Sequence, residues 1–155
     1  MIKAEKSIVI ERPVEDVFAY VGDQTNAVHW QAGLVEVRRL TDGPIGVGTR
    51  HTIVRTFMGR RLAVDNEYVA FEPGRRIAFR TTSGPMQLEA SYLVEPVAEG
   101  TRVTSTIAME ASRFVSLAEP LIAASLRREM DAGFRELKRL LEAPVPAGSP
   151  EPAAP

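Results

Sequence analysis

The sequence predicts an α+β domain: a curved antiparallel sheet of seven strands folded round one long C-terminal helix, with two short helices after the first strand. Three observations predict it. Between Leu34 and Glu110 apolar and polar residues alternate with period 2, the spacing of half-buried strands. Turn chemistry interrupts that stretch at Asp42-Gly43-Pro44, Met58-Gly59-Arg60, Glu72-Pro73-Gly74, Ser83-Gly84-Pro85 and Glu99-Gly100, and five breaks make six strands. Beyond Glu110 the period changes to 3.6, which marks a helix. Short connections make the six strands antiparallel neighbours, and an amphipathic helix after them needs their apolar face.

Each element has a local reason. Residues Ala4 to Glu11 alternate, with Ile8 and Ile10 on one face, as a first strand. Pro13 then suits the first position of a helix. Val14, Val17, Phe18 and Val21 recur at helical spacing behind it, and Glu15 and Asp16 sit at the positive end of its dipole. A second short helix is expected from Asp23 to Trp30. On the long helix Ile122, Leu126, Met130, Phe134, Leu137 and Leu141 form one stripe running to about Glu142, with Gly133 beside it, where a missing side chain lets strands or a ligand come close. Its start has two readings: a capping box at Ser116-Leu117-Ala118-Glu119, or a helix from near Ser112 kinked at Pro120. Its charges, with Asp131 and Arg135 at i,i+4, read as a solvated face. Five of the eleven prolines lie between Pro144 and Pro155, so the chain divides into a folded domain at 1–142 and a flexible tail at 143–155.

Composition removes several function classes. The 155 residues are 45% hydrophobic and 25% charged, the make-up of one ordinary globular domain. Nineteen Lys and Arg against twenty Asp and Glu leave a net charge of −1 with no block of like charge, so nucleic acid is not expected as a partner. No cysteine is present, which excludes disulfides, thiolate metal sites and cysteine nucleophiles. No signal peptide or run of 18 apolar residues is found, and a cytoplasmic protein without integral membrane association is the expectation. His29 and His51 are the only histidines, and no Asp or Glu stands at a spacing that makes a metal site or triad, so no metal and no cofactor are expected. The glycines of Gly43-Pro-Ile-Gly-Val-Gly48 precede a strand and lack a following Gly-Lys-Ser/Thr, which rules out a phosphate loop.

Alternation also assigns the inner faces. Ile77, Phe79 and Thr81 share one face with Leu88, Ala90, Tyr92 and Val94, and with Val103, Ser105, Ile107 and Met109. The two preceding strands turn His51, Ile53, Arg55 and Phe57, then Leu62, Val64, Asn66 and Tyr68, to the same side. His51, Arg55, Asn66, Tyr68, Tyr92 and Ser105 thus stand among apolar groups. Such a set is either a small-molecule site or a filled core whose polar groups satisfy one another. An inward Arg55 needs a carboxylate, a ligand anion or water; a strand end or bulge would turn it outward.

The strand–helix–sheet–helix order, with Ile-Glu-Arg-Pro-Val-Glu-Asp-Val-Phe (residues 10–18), the Trp30 region, Gly46-Val-Gly-Thr49, Phe71-Glu-Pro-Gly74 and the Pro120–Leu141 helix, resembles the START-like, Bet v 1-like (SRPBCC) superfamily. The resemblance covers about residues 1–142 and is nearest to the polyketide cyclase/dehydrase-like bacterial members. It implies a helix-grip fold with an internal cavity that opens near Trp30. The function it implies is binding of a hydrophobic small molecule such as a lipid, polyketide or aromatic metabolite. Alternatives are a metal-independent cyclase or dehydratase and a protein-interaction module akin to chaperone regulators; the fold itself does not choose among them. The ligand-facing residues expected are Trp30, His51, Arg55, Phe57, Asn66, Tyr68, Phe79, Tyr92, Ser105, Met130 and Phe134. His51, Tyr68 and Tyr92 are the catalytic candidates, and the protein is expected as a monomer or homodimer.

Overall fold

The computed structural model describes residues 1–57, 59–84, 87–110 and 118–144, with Phe57 by its backbone only. Expectations for the Phe57 side chain, Met58, Pro85, the stretch Ser112–Leu117 and the tail from residue 145 lie outside the described residues. The elements are β1 (Ile2–Ile10), α1 (Val14–Val21), a short 3-10 helix (Gln24–His29), β2 (Leu34–Arg39), β3 (Arg50–Phe57), β4 (Arg60–Glu72), β5 (Arg76–Thr81), β6 (Gln87–Val97), β7 (Gly100–Glu110) and α2 (Glu119–Glu142).

The seven strands form one antiparallel sheet in the order β1-β7-β6-β5-β4-β3-β2. β2 to β7 are a meander, each strand beside the next, as short connections dictate. β1 instead pairs with β7 along its whole length, from Ile2 opposite Met109 to Ile10 opposite Thr101. At that junction Gly100 has φ 143°, and a Cβ there would stand 2.3 Å from the Ile10 carbonyl oxygen, so only glycine admits the crossing of the two chain segments. The register of β4 shifts between Tyr68 and Ala70, and that of β2 between Leu34 and Glu36. Such irregularities bend a strand and help the sheet curve.

The helices close the concave side. Val17, Phe18 and Val21 of α1 are buried. Asp23 caps the 3-10 helix, its carboxylate accepting from the Thr25 N–H at 2.9 Å and the Thr25 hydroxyl at 2.7 Å. On α2 the expected stripe faces inward at Ile122, Leu126, Phe134, Leu137 and Leu141, whereas Met130 is only half-buried. The first half of α2 packs on Ile2, Ala4 and Met109, and the second half joins the main core with Ile10, Val17, Trp30 and Val103. Its end is tied to the β1–α1 corner, where Lys138 donates to the Val9 carbonyl at 2.8 Å, Arg12 to the Leu141 carbonyl at 2.7 Å, and Glu142 accepts from the Glu11 N–H at 3.0 Å.

Two readings of α2 are corrected. Asp131 pairs with Lys6 of β1 at 3.1 Å rather than with Arg135, because β1 runs alongside the helix and brings a cation across to it. Gly133 admits no strand: a Cβ there would stand 3.3 Å from the Trp30 carbonyl oxygen and 3.6 Å from Gln31 Cα, so the segment after the 3-10 helix is what it lets in. The described helix begins at Glu119 with Pro120 in its first turn, the place where proline's missing N–H costs nothing.

Candidate functional site

The concave face holds a cavity of about 140 Å³. Period-2 alternation supplies most of its wall: Ile53 and Arg55 from β3, Leu62, Val64 and Asn66 from β4, Phe79 and Thr81 from β5, Leu88, Ala90 and Tyr92 from β6, and Ile107 and Met109 from β7. Gln24, Ala27, Gln31 and Leu34 close one side, and Leu126 of α2 another. An apolar cavity of roughly 150 Å³ accepts a benzene-sized molecule, so this one matches a single ring. A smaller chamber of about 50 Å³ adjoins it, shares Gln31, Arg55, Tyr92, Ile107 and Leu126, and adds Trp30, Glu129, Met130, Gly133 and Phe134.

A polar relay runs between the two spaces. Arg55 donates to Gln31 Oε1 at 2.9 Å, and Gln31 Nε2 donates to the Tyr92 hydroxyl at 2.8 Å. Ser105, opposite Tyr92 in the β6–β7 register, also hydrogen bonds that hydroxyl. Burial pushes the Tyr92 phenol up to about 12, with Arg55 and the Ser105 bond pulling the other way. The phenol therefore keeps its proton at neutral pH. The nearest carboxylate to Arg55 belongs to Glu129, at 3.9 Å, with both side chains about 30% exposed (30% and 28%). Burial raises the Glu129 pKa and Arg55 opposes it. Among the described residues, one hydrogen bond to an amide and one long ion pair leave the guanidinium with donors to spare.

A second polar group lies on the same sheet face. Asn66 stands in register between His51 of β3 and Thr81 of β5, and its Nδ2 donates to Gln24 Oε1 at 3.1 Å. Tyr68, with no exposed surface, donates to the Gly22 carbonyl at 2.8 Å and accepts from the Gln24 N–H at 3.0 Å. That hydroxyl ties the α1–3-10 junction to the sheet, and burial raises its pKa further than that of Tyr92. His51 is also fully buried, its ring 5.6 Å from that of Tyr68 and both nitrogens without a partner among the described residues.

The residues singled out from the sequence thus fall into three places. Arg55, Asn66, Phe79 and Tyr92 line the larger cavity, and Arg55 points inward. Trp30, Ser105, Met130 and Phe134 line the smaller chamber. His51 and Tyr68 lie behind the wall, in the core, and line neither. Trp30 is not at a rim: it is 6% exposed, stacked on Phe134 at 6.1 Å and edge-on to Tyr92 at 5.8 Å, because Gly133 lets its segment sink against α2. His29 is exposed. Gln24, Gln31 and Glu129 went unread. Part of their signal was present, since Gln24 and Ala27 are one turn apart on the 3-10 helix and Glu129 stands one turn from both Leu126 and Gly133 beside the stripe, whereas Gln31 lies beyond that helix.

Burial without a partner disfavours the charged imidazole, and the His51 pKa is lowered, nearby Asp23 opposing and Arg39 assisting. An unfolded histidine takes up a proton below about pH 6.5, while folded His51 does so only at lower pH. The unfolded state binds more protons in that window, so stability is full above about pH 6.5 and falls below it, by at most roughly 1.4 kcal/mol per pH unit. Urea unfolding of wild type and His51→Phe at pH 7.5 and 5.5 checks this; the variant is expected to lose the acid-side slope, and identical slopes would place it on other groups.

Comparison with known proteins agrees with this architecture. The family described as polyketide cyclase/dehydrase and lipid transport matches residues 1–142. No curated protein matches the chain significantly in sequence. Among solved structures, TTHA0849 from Thermus thermophilus is similar at 21% identity and a TM-score of 0.76, over 90% of this chain and 95% of that one. The ZhuI aromatase/cyclase from Streptomyces sp. R1128 is similar at 13% identity and a TM-score of 0.73, over 90% and 93%. The di-domain aromatase/cyclase StfQ of the steffimycin biosynthetic pathway is similar at 12% identity and a TM-score of 0.74, over 91% of this chain and 50% of that one. Identities this low speak for the fold, a helix grip, and among the described residues no helix is long and apolar enough to cross a membrane. With its cavity, its seven-stranded sheet and its C-terminal helix, the chain belongs to the polyketide cyclase/dehydrase and lipid transport family.

Proposed function

We propose that this protein binds a small hydrophobic molecule, aromatic and bearing an acidic or anionic oxygen, in the cavity on the concave face. The observation that carries the reading is Arg55: the one charged group at the wall of a mostly apolar space among the described residues, held by Gln31 and only loosely by Glu129. A half-buried arginine cannot shed its charge, so an anion there gains charge-assisted hydrogen bonds that water supplies less well. The family's own description, cyclases, dehydrases and lipid carriers, supports a hydrophobic guest.

Benzoate and its neutral isostere nitrobenzene test this by calorimetry. Arg55→Met is expected to weaken benzoate by about tenfold or more and to spare nitrobenzene, as a charged hydrogen bond of about 1.5–3 kcal/mol requires. Equal losses for both would reduce Arg55 to a packing role, and no saturable binding by either would mean a closed core.

A second reading, a cyclase or dehydratase, draws on Tyr92. Its retained proton beside Arg55 suits hydrogen bonding to an enolate oxygen, with the guanidinium offsetting the developing charge. For a turned-over substrate, Tyr92→Phe would then lower the rate by about 10²–10⁴ with binding kept.

A further inference from the structure

We infer that Gln24 and Asn66 form a hydroxyl-recognising subsite at one end of the cavity, so that the preferred guest carries a hydroxyl group, phenolic in the simplest case. This rests on the reading that the cavity takes a ligand, and it adds which polar group, other than the one facing Arg55, that ligand bears. Both side chains line the cavity, at 5% and 4% exposure. Among the described residues Gln24 Nε2 and Asn66 Oδ1 have no partner, although Asn66 Nδ2 donates to Gln24 Oε1 at 3.1 Å. Buried amide groups are almost always paired, so one buried donor and one buried acceptor left without partners in two side chains of the cavity wall mark a place for something that supplies both.

The chemistry of that something is narrow. Turning both amides over keeps their mutual bond and exchanges donor and acceptor at the two open positions, so one of each remains in either orientation. A carboxylate or ketone offers only acceptors and an ammonium only donors. A hydroxyl offers both on one atom and fits either orientation. A water molecule does the same, and a guest hydroxyl replaces it in kind.

The pair is also held still. The Gln24 backbone N–H is fixed by the Tyr68 hydroxyl at 3.0 Å, and Asn66 sits in the sheet between His51 and Thr81, whose own hydroxyl accepts from the Leu88 N–H at 3.0 Å. In the β3–β4 register Asn66 faces His51 while Leu62 faces Arg55, a separation of four residues or roughly 13 Å of strand. The subsite is therefore distinct from the arginine end.

Phenol and toluene, equal in shape, test it by calorimetric titration of wild type and Gln24→Leu/Asn66→Leu. The ratio of phenol to toluene affinity is expected to fall about tenfold in the variant, comparison of ratios cancelling the different hydration of the two probes. An unchanged ratio with toluene bound by both proteins would overturn the subsite and leave the binding function standing. Failure of wild type to bind either probe would overturn both. Should the double variant not fold, the side-chain amide NMR signals of wild-type Gln24 and Asn66 decide: phenol is expected to shift them and toluene to leave them in place, and equal shifts from the two probes would overturn the subsite.

Discussion

Replacing Phe134 with aspartate is expected to leave no folded protein at 25 °C. The ring is 3% exposed, stacks on Trp30 at 6.1 Å and belongs to the main core with Leu137 and Leu141. Removing a buried phenylalanine costs about 3–5 kcal/mol by itself, and a carboxylate in its place adds the burial of an unpaired charge. A domain of this size has only about 5–15 kcal/mol in reserve. Circular dichroism melts and Trp30 emission report the outcome together, because Trp30 loses its stacking partner when α2 leaves the sheet. Met130→Asp is expected to be milder, since Met130 is half-buried at the wall of the small chamber and its replacement can reach toward water. A cooperative melt of Phe134→Asp within a few degrees of wild type would contradict the packing of α2 described above.

Tyr68→Phe is the second large effect expected, and it is one of stability. The ring of Tyr68 stays, with its neighbours His51 at 5.6 Å and Phe79 at 6.1 Å, but its hydroxyl is lost. The Gly22 carbonyl and the Gln24 N–H are then both left without their buried partner. Each orphaned group costs about 1–3 kcal/mol, so the denaturation midpoint should shift by the equivalent of roughly 2–6 kcal/mol. Tyr92→Phe serves as the contrast. Its partners are the side chains of Gln31 and Ser105, which can turn to each other or to cavity water, and the loss should be smaller. If Tyr68→Phe proved as stable as wild type, its hydroxyl would not be the tie between the 3-10 helix and the sheet.

Most strand and helix positions were legible because each is specified locally. Alternation in Leu88–Val94 or Ile77–Thr81 names the inner face without reference to the rest of the chain, and Arg55, Asn66, Phe79 and Tyr92 stand on the cavity wall as that parity requires. The same parity places His51 and Tyr68 on the correct face and still misjudges their use. Facing the concave side does not distinguish the wall of a space from the packing beneath it; that depends on how far the 3-10 helix descends at each point.

What the sequence by itself determined is therefore the set of elements, their inner and outer faces and the helix stripe, all of which follow from period and turn chemistry within about a dozen residues. Tertiary structure decided the pairing of β1 with β7, the sinking of Trp30 against Gly133 and the exchange of Asp131's partner for Lys6. It also decided the meeting of Gln31 with Arg55 and Tyr92, and of Gln24 with Asn66. These contacts join residues 24 to 125 positions apart in the chain. No local rule selects such partners, because the free energy that does so comes from burying the concave face as a whole and then pairing whatever polar groups that burial has enclosed.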